Sequence, residues 1–249
     1  MTPLPNAASR LAREIEHHRQ IADRAETIWT WDSPAGRLRA DRRANLFIEH
    51  GGLRRGVRAL ELGCGTGVFL DRVAGSGAQL HGIDLSTHLL EKARARLLGR
   101  PNVALDCGNA EQMPFPHAAY DVVYGSSVLH HLNLEVSLRE VLRVLRPGGR
   151  IVFTEPNILN PQVFVIFHLG LTKRYFGVSP DELAFSRFRA RAVLARLGYR
   201  DVSVRPLDFL HPSVPAAWVH LVSRVGERLE KVPLLREVAG SLLILGRKA

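Results

Sequence analysis

Residues 59–70 read Ala-Leu-Glu-Leu-Gly-Cys-Gly-Thr-Gly-Val-Phe-Leu. Ala59, Leu60 and Leu62 have the apolar character of a short buried strand, with Glu61 pointing the other way. Gly63, Gly65 and Gly67 follow, and an amphipathic segment from Val68 to Val73 then opens a helix. A strand that turns through glycines into a helix is a nucleotide-binding corner. Glycine admits torsions closed to other residues, and its missing side chain lets a ligand approach the main chain. The dinucleotide fingerprint needs glycine at its first, third and sixth positions, and here the sixth is Val68. No Gly-Lys-Ser/Thr follows, so the corner is not a phosphate-cradling loop either.

Working outward, Gln79–Ile83 reads as a second strand ending in Asp84. A carboxylate at the carboxyl end of a second parallel strand can accept both hydroxyls of a ribose. Ser86 is the better cap for a helix over Thr87–Leu98, which releases Asp84 for that role. A third strand, Val103–Leu105, leads to Cys107-Gly108-Asn109-Ala110-Glu111, and a fourth, Tyr120–Tyr124, to Gly125-Ser126. An amphipathic helix over Glu135–Arg146 stops at Pro147-Gly148-Gly149, and a fifth strand, Arg150–Thr154, follows. Strands alternating with helices predict an α/β, doubly wound sheet.

Four stretches occur in one order: the G-x-G-x-G corner behind Glu61, GIDLS at 82–86, GNAEQMPF at 108–115 and RVLRPGGRIVFTEPN at 143–157. Together they resemble the class I S-adenosylmethionine-dependent methyltransferases that act on small molecules. The resemblance implies a Rossmann-like, seven-stranded, mostly parallel sheet with the last strand antiparallel. It implies S-adenosyl-L-methionine as cofactor and no metal. Gly63, Gly65 and Gly67, with Cys64 among them, would shape the methionine pocket, and Glu61 would support the loop. Asp84, beside Leu85, would hold the ribose, Asn109 and Ala110 the adenine, and Ser126 would lie under the sulfonium. Relatives carry aspartate where this chain has Asn109, but an amide can still accept from the adenine amino group and donate to a ring nitrogen.

Methyl transfer to a hydroxyl needs a base near the methyl group. The candidates are His130 and His131 after the fourth strand and Glu155 after the fifth, with one of the two adjacent histidines, His131, expected to face the site. Enzymes that methylate amines of nucleic-acid bases carry Asn/Asp-Pro-Pro-Tyr/Phe at the fourth-strand corner. This chain has no such tetrapeptide there, so that substrate class falls down the order.

The chain has 249 residues, two cysteines (Cys64 and Cys107) and a formal net charge of +10. Its length predicts one α/β domain over 53–249 behind a helical extension at 1–52, with core motifs at 54–157 and helical additions at about 158–180 and 211–240. Two cysteines make no disulfide framework or zinc spacing. The first residues lack the apolar core of a signal peptide, and no apolar run reaches the roughly 18 residues of a membrane span. A cytoplasmic protein is predicted, with peripheral contact at the inner membrane face as an option. The arginines are spread along the chain, so the charge gives no strong nucleic-acid signal.

A helix over 8–31 is expected to carry Leu11, Ile15, His18, Ala22, Ala25 and Trp29 on one stripe, broken by Ser33-Pro34-Ala35-Gly36 before a second helix over Arg39–His50. His17 and His18 read as surface and core-edge residues, and Trp29 and Trp31 as residues that pack this helix onto the domain, with lining a substrate mouth as the alternative. The apolar run Val163–Phe167 reads as a covering helix or an interfacial foot. Ser179-Pro180-Asp181-Glu182 reads as a helix start. Between the last two strands, Trp218, Val222, Val225, Leu229 and Val232 share a helix face, with Arg224, Glu227, Arg228 and Glu230 opposite, and such a helix packs on the domain, builds a lid or dimer face, or rests on a membrane. These apolar additions point to a small hydrophobic, lipid-linked or sugar-linked acceptor. The alternatives are an RNA methyltransferase and a silent cofactor-binding adaptor.

Overall fold

The computed structural model describes residues 7–168 and 183–249. Seven strands form one sheet in the order β3-β2-β1-β4-β5-β7-β6. They are β1 (Arg58–Leu62), β2 (Gln79–Asp84), β3 (Val103–Cys107), β4 (Tyr120–Ser126), β5 (Leu145–Pro156), β6 (Arg200–Leu207) and β7 (Ser241–Arg247). β1 pairs in parallel with β2 and β4, β2 with β3, and β4 with β5; β7 runs antiparallel to β5 and β6. The predicted mostly parallel sheet with an antiparallel last strand is therefore the observed one. Strand order reverses between β1 and β4, so a crevice opens above their carboxyl ends, where such sheets bind ligands.

Alternate residues of the strands feed two cores. Leu60, Leu62 and Phe153 face α6 (Leu134–Val144) and α8 (Arg187–Arg196). Ala59, Tyr124 and Val152 face α3 (Pro34–Gly51), α4 (Val68–Val73) and α5 (Thr87–Arg96). Both faces being covered explains why these strands read as near-continuous apolar runs. Ser86 caps α5 as expected, accepting from the Leu89 amide.

Several local expectations are corrected. Ser33-Pro34 does not merely break a helix: Ser33 accepts from the Gly36 amide at 2.9 Å and caps α3, which begins at Pro34. The first helical stretch is divided into α1 (Ala7–Ile21), a 3₁₀ turn and α2 (Ala25–Ile28). Pro147-Gly148-Gly149 does not precede the fifth strand but lies inside it, because Gly148 and Gly149 pair with Lys248. The apolar run at 163–167 lies in α7 (Pro161–His168), none of whose residues is buried. The helix of the late insertion, α9 (Val219–Leu229), turns Val219 and Gly226 inward and leaves Trp218, Val225 and Val232 exposed. Gly226 selects that face, since a Cβ there would lie 3.1 Å from Cβ of Phe209. The predicted helix start at Ser179 lies outside the described residues.

Candidate functional site

The carboxyl ends of β1, β2 and β4 form the floor of a cavity of about 460 Å³. At one end is the glycine corner. Gly63 has φ +60°, and a Cβ on it would lie 2.5 Å from Cγ2 of Val128; Gly65 has φ +51° and packs under Trp29. The Gly65 amide donates to Asp84 Oδ2 at 2.8 Å, and the Ser86 amide donates to Asp84 Oδ1 at 2.9 Å. Each Asp84 oxygen therefore has one backbone partner and a second lone pair to offer. Cys64, Leu85, Asn109 and Ala110 line the same end. Asn109 Oδ1 accepts from the Glu111 amide at 2.9 Å, which fixes the plane of its side-chain amide.

Glu61 does not line the cavity. It is buried behind the corner against Tyr124, and burial pushes both its carboxyl and the Tyr124 hydroxyl well above their ordinary values. Burial likewise pushes up the Cys64 thiol, so this cysteine is a small wall residue with no thiolate character. Among the described residues, no group of His, Cys, Asp and Glu is placed to hold a metal ion.

The turn after β4 carries the two histidines, and both line the cavity. The expectation that one would face away assumed a continuing helix, whereas Leu129–His131 is a 3₁₀ turn. Glu155, fully buried, does not reach the cavity. It accepts from the Val128 and Leu129 amides at 2.9 and 2.8 Å, and the His130 ring Nδ1 lies 2.8 Å from its other oxygen. His131 stands in a different environment. Its Nδ1 is 3.4 Å from Oε2 of Glu14, and its ring meets those of His18 and His130.

Glu14, His17 and His18 come from α1 and line the cavity, as do Trp29 and Trp31. His17 therefore faces the cavity and not the surface, while Trp29 and Trp31 fulfil both of their readings, lining the cavity and packing the helix, with Trp31 5.3 Å from the Phe69 ring. The inward face of α1 passes through buried Glu14, while Ile15 is 42% exposed. Of the expected stripe, Leu11, His18 and Trp29 line the cavity and Ala22 and Ala25 are buried, so Ile15 alone is out of place and Glu14 takes the inward position beside it. Arg10 anchors it, donating to the His131 carbonyl at 2.7 Å and pairing with Glu111. Glu26 extends the clasp, bonding both Arg96 and Thr66 of the glycine loop. Burial lowers His18; Asp84 and Glu14 oppose that, while His131 and His17 reinforce it.

The far end of the cavity is built on β4, β6 and β7. Arg43 of α3 donates to Ser126 at 2.8 Å, Ser127 at 3.3 Å and Ser241 at 2.9 Å. Ser126, expected under the sulfonium, lines the cavity with Arg43 and Thr154 as its partners. Arg39 bonds Asp208 at 2.7 Å, and Val163, Ile166, Phe167, Phe209 and Leu210 supply an apolar wall. The corner, the two lone pairs of Asp84 and the amide of Asn109 fit the polar groups of an adenosyl-methionine.

Residues 60–153 match the family described as methyltransferase domain. The chain is 36% identical over 108 residues to a demethylmenaquinone methyltransferase of Staphylococcus aureus (strain MRSA252), a stretch covering 42% of this chain and 45% of that protein. It therefore spans less than half the length of the curated relatives it matches. Among solved structures, it resembles Haemonchus contortus phosphoethanolamine N-methyltransferase 2 in complex with phosphomonomethylethanolamine and S-adenosylhomocysteine. The TM-score is 0.69 at 16% identity, over 94% of this chain and 59% of that one. The [4+2]-cyclase SpnF is similar with a TM-score of 0.60 at 23% identity, over 84% of this chain and 80% of that one.

Proposed function

We propose that this chain, whose residues 60–153 match the methyltransferase-domain family, is a class I S-adenosylmethionine-dependent methyltransferase that moves a methyl group to a small hydrophobic acceptor by in-line displacement. One observation carries this reading. A single cavity holds the glycine corner and Asp84 at one end, an apolar wall at the other, and His131 at its rim. When bound, the cofactor supplies the electrophilic methyl on a sulfonium, and the chain supplies alignment, proton removal and exclusion of water.

Asp84 would bond the ribose hydroxyls, Asn109 with Ala110 and Leu85 the adenine, and the Gly63–Gly67 loop the methionyl part. The helices of 7–51 roof the cavity, with Trp29 set over Gly65. His131 takes the acceptor proton, and the Glu14 carboxylate, 3.4 Å from Nδ1, stabilises the imidazolium that forms. Glu155 and His130 act as positioning residues, holding the turn that carries His131.

The apolar wall supports an acceptor with a hydrophobic body, and a quinone-like ring of the kind named for the Staphylococcus aureus relative falls within that class. Phe164 and Val165 on α7 are exposed, as are Leu234, Leu235 and Val238, and Asn160, just before α7, ties the two segments by donating to the Val238 carbonyl. That apolar rim supports a lipid-linked acceptor presented at a membrane surface. Among the described residues no helix is long and apolar enough to cross one.

Calorimetric titration with S-adenosylhomocysteine tests the cofactor assignment. Micromolar binding is expected, weakened on the order of a hundredfold in Asp84→Ala by loss of hydrogen bonds to a charged group. Turnover is then followed as S-adenosylhomocysteine release over phenols and hydroquinones of increasing alkyl length. His131→Asn should lower kcat on the order of a hundredfold with the cofactor Kd unchanged. Folded protein that binds no S-adenosylhomocysteine would sink the reading.

A further inference from the structure

The far end of the cavity holds a charge arrangement that the proposed reaction leaves unexplained. Arg43 is 4% exposed, yet among the described residues its guanidinium is hydrogen-bonded to the hydroxyls of Ser126, Ser127 and Ser241 and to no carboxylate. Three such bonds leave donors over from the five N–H groups of a guanidinium. The nearest carboxylate described is Asp208, whose Oδ2 lies 3.7 Å from Arg43 and is already bonded to Arg39 at 2.7 Å. Arg42 is satisfied separately by both oxygens of Glu230.

Two cavity-lining cations therefore share one anion. Removing a cation from water costs several kcal/mol unless a partner compensates it. Burial and the neighbouring Arg39 lower Arg43 to about 10, against the pull of Asp208 and Glu155, so it keeps its charge at neutral pH. Burial would raise the Asp208 carboxyl, but Arg39, Arg43 and Arg42 outweigh it and hold it below its ordinary value, so Asp208 stays a single anion. The excess positive charge thus persists in the cavity wall.

The surrounding backbone is committed to this arrangement. Ser127 and Asp208, both non-glycine, have φ of +55° and +75°, and both turn toward Arg43. Such torsions are strained for a residue with a Cβ and persist where neighbouring structure over-determines them. Trp31 lies 5.1 Å from the guanidinium, closing one side.

We propose that Arg43 and Arg39 form an anion-binding subsite for the acceptor, which carries a carboxylate or phosphate on its hydrophobic body. This rests on the methyltransferase reading and names the substrate class of that site. The location favours the acceptor over the cofactor. Every hydrogen-bond and carboxylate partner of Arg43 comes from the ends of β4, β6 and β7, whereas the glycine corner and Asp84 belong to β1 and β2. The apolar wall of Val163, Ile166 and Phe167 lines the same cavity to receive the rest of the molecule. The serine hydroxyls serve either state, accepting from Arg43 and donating to an incoming anion.

The test uses the full chain saturated with S-adenosylhomocysteine, so that the methionyl carboxylate is already in place. Octyl phosphate, octanoate and octanol are titrated by calorimetry. The two anionic probes should bind at least tenfold tighter than octanol. Arg43→Gln should erase that preference and leave the Kd of S-adenosylhomocysteine within twofold. Thermal melts report whether Arg43→Gln folds, and the less buried Arg39→Gln, which should weaken the preference severalfold, serves where it does not.

Equal binding of octanol and octyl phosphate by the parent overturns the proposal. So does an Arg43→Gln protein that loses S-adenosylhomocysteine but keeps 5′-methylthioadenosine, because the guanidinium then serves the cofactor's own carboxylate. Failure of the parent to bind S-adenosylhomocysteine at all is a different result and removes the methyltransferase reading itself.

Discussion

At the β1–β2 end of the cavity the wall is main chain; at the end built on β4, β6 and β7 it is side chains. The first end works through torsions and amides. Gly63, Gly65 and Gly67 all have positive φ, and Asp84 is locked by two backbone N–H groups. The second is assembled from Arg39 and Arg43 on α3, Asp208 after β6, Ser241 at the start of β7 and the inner face of α7. A main-chain wall suits a ligand that never changes, since its geometry tolerates almost no substitution. A side-chain wall can be rewritten residue by residue without disturbing the sheet, which is how one fold serves many acceptors.

The largest expected effect probes the main-chain end. Gly63→Ala places a methyl 2.5 Å from Val128 in a left-handed conformation. Steric overlap and backbone strain together should cost about 3 kcal/mol, read by urea denaturation. Gly56→Ala separates the two causes, because φ there is +88° but nothing lies within 4 Å of the added Cβ. It should cost about 1–2 kcal/mol, the left-handed penalty alone. Equal losses in the two variants would mean that close packing at the corner contributes nothing.

A smaller effect tests whether the two ends are separable. Asn157 is fully buried, and its side-chain amide donates to the carbonyls of Glu237 and Ala239, both at 2.9 Å. It ties the start of the α7 region to the segment before β7. Asn157→Ala strands those carbonyls and should cost about 2 kcal/mol. It should raise the acceptor KM severalfold while the S-adenosylhomocysteine Kd stays within twofold. Parallel loss of cofactor affinity would show that the ends are mechanically one unit.

The same division explains what could be read before folding. The corner was legible because its signal is local: strand, glycines and helix lie within a dozen residues, and Asp84 ends the next strand. Sheet order followed from alternation of strands and helices. Arg43 and Glu14 gave no such signal, and His18 was placed on the right stripe without its role. Each sits on a helix at a position that periodicity assigns only to a face, and which face meets the cavity depends on partners far along the chain. Arg43 meets Ser241 across 198 positions, and Arg10 meets His131 across 121. The one available hint was chemical: Glu14 and His18 are four apart on α1, so two polar groups share the side that also carries Leu11. Glu155 misled for the opposite reason. Its position after a strand end matched a base, but its oxygens are consumed in holding the next turn.

The smallest predicted effect concerns the roof over the main-chain end. His18 is lowered from its ordinary value of 6.5, with burial the main cause and Asp84, His131, Glu14 and His17 as the facing groups. The unfolded chain takes up this proton near the ordinary value, and the folded chain only at lower pH. Between those two points the unfolded state binds more protons, so stability rises with pH. It is therefore lost as pH falls through 6.5 toward the lower folded value. In His18→Gln this contribution disappears, and the slope of unfolding free energy against pH should flatten below 6.5. The flattening cannot exceed one proton's worth, about 1.4 kcal/mol per pH unit. An unchanged slope would remove His18 from the acid sensitivity of the fold and leave it as a packing residue.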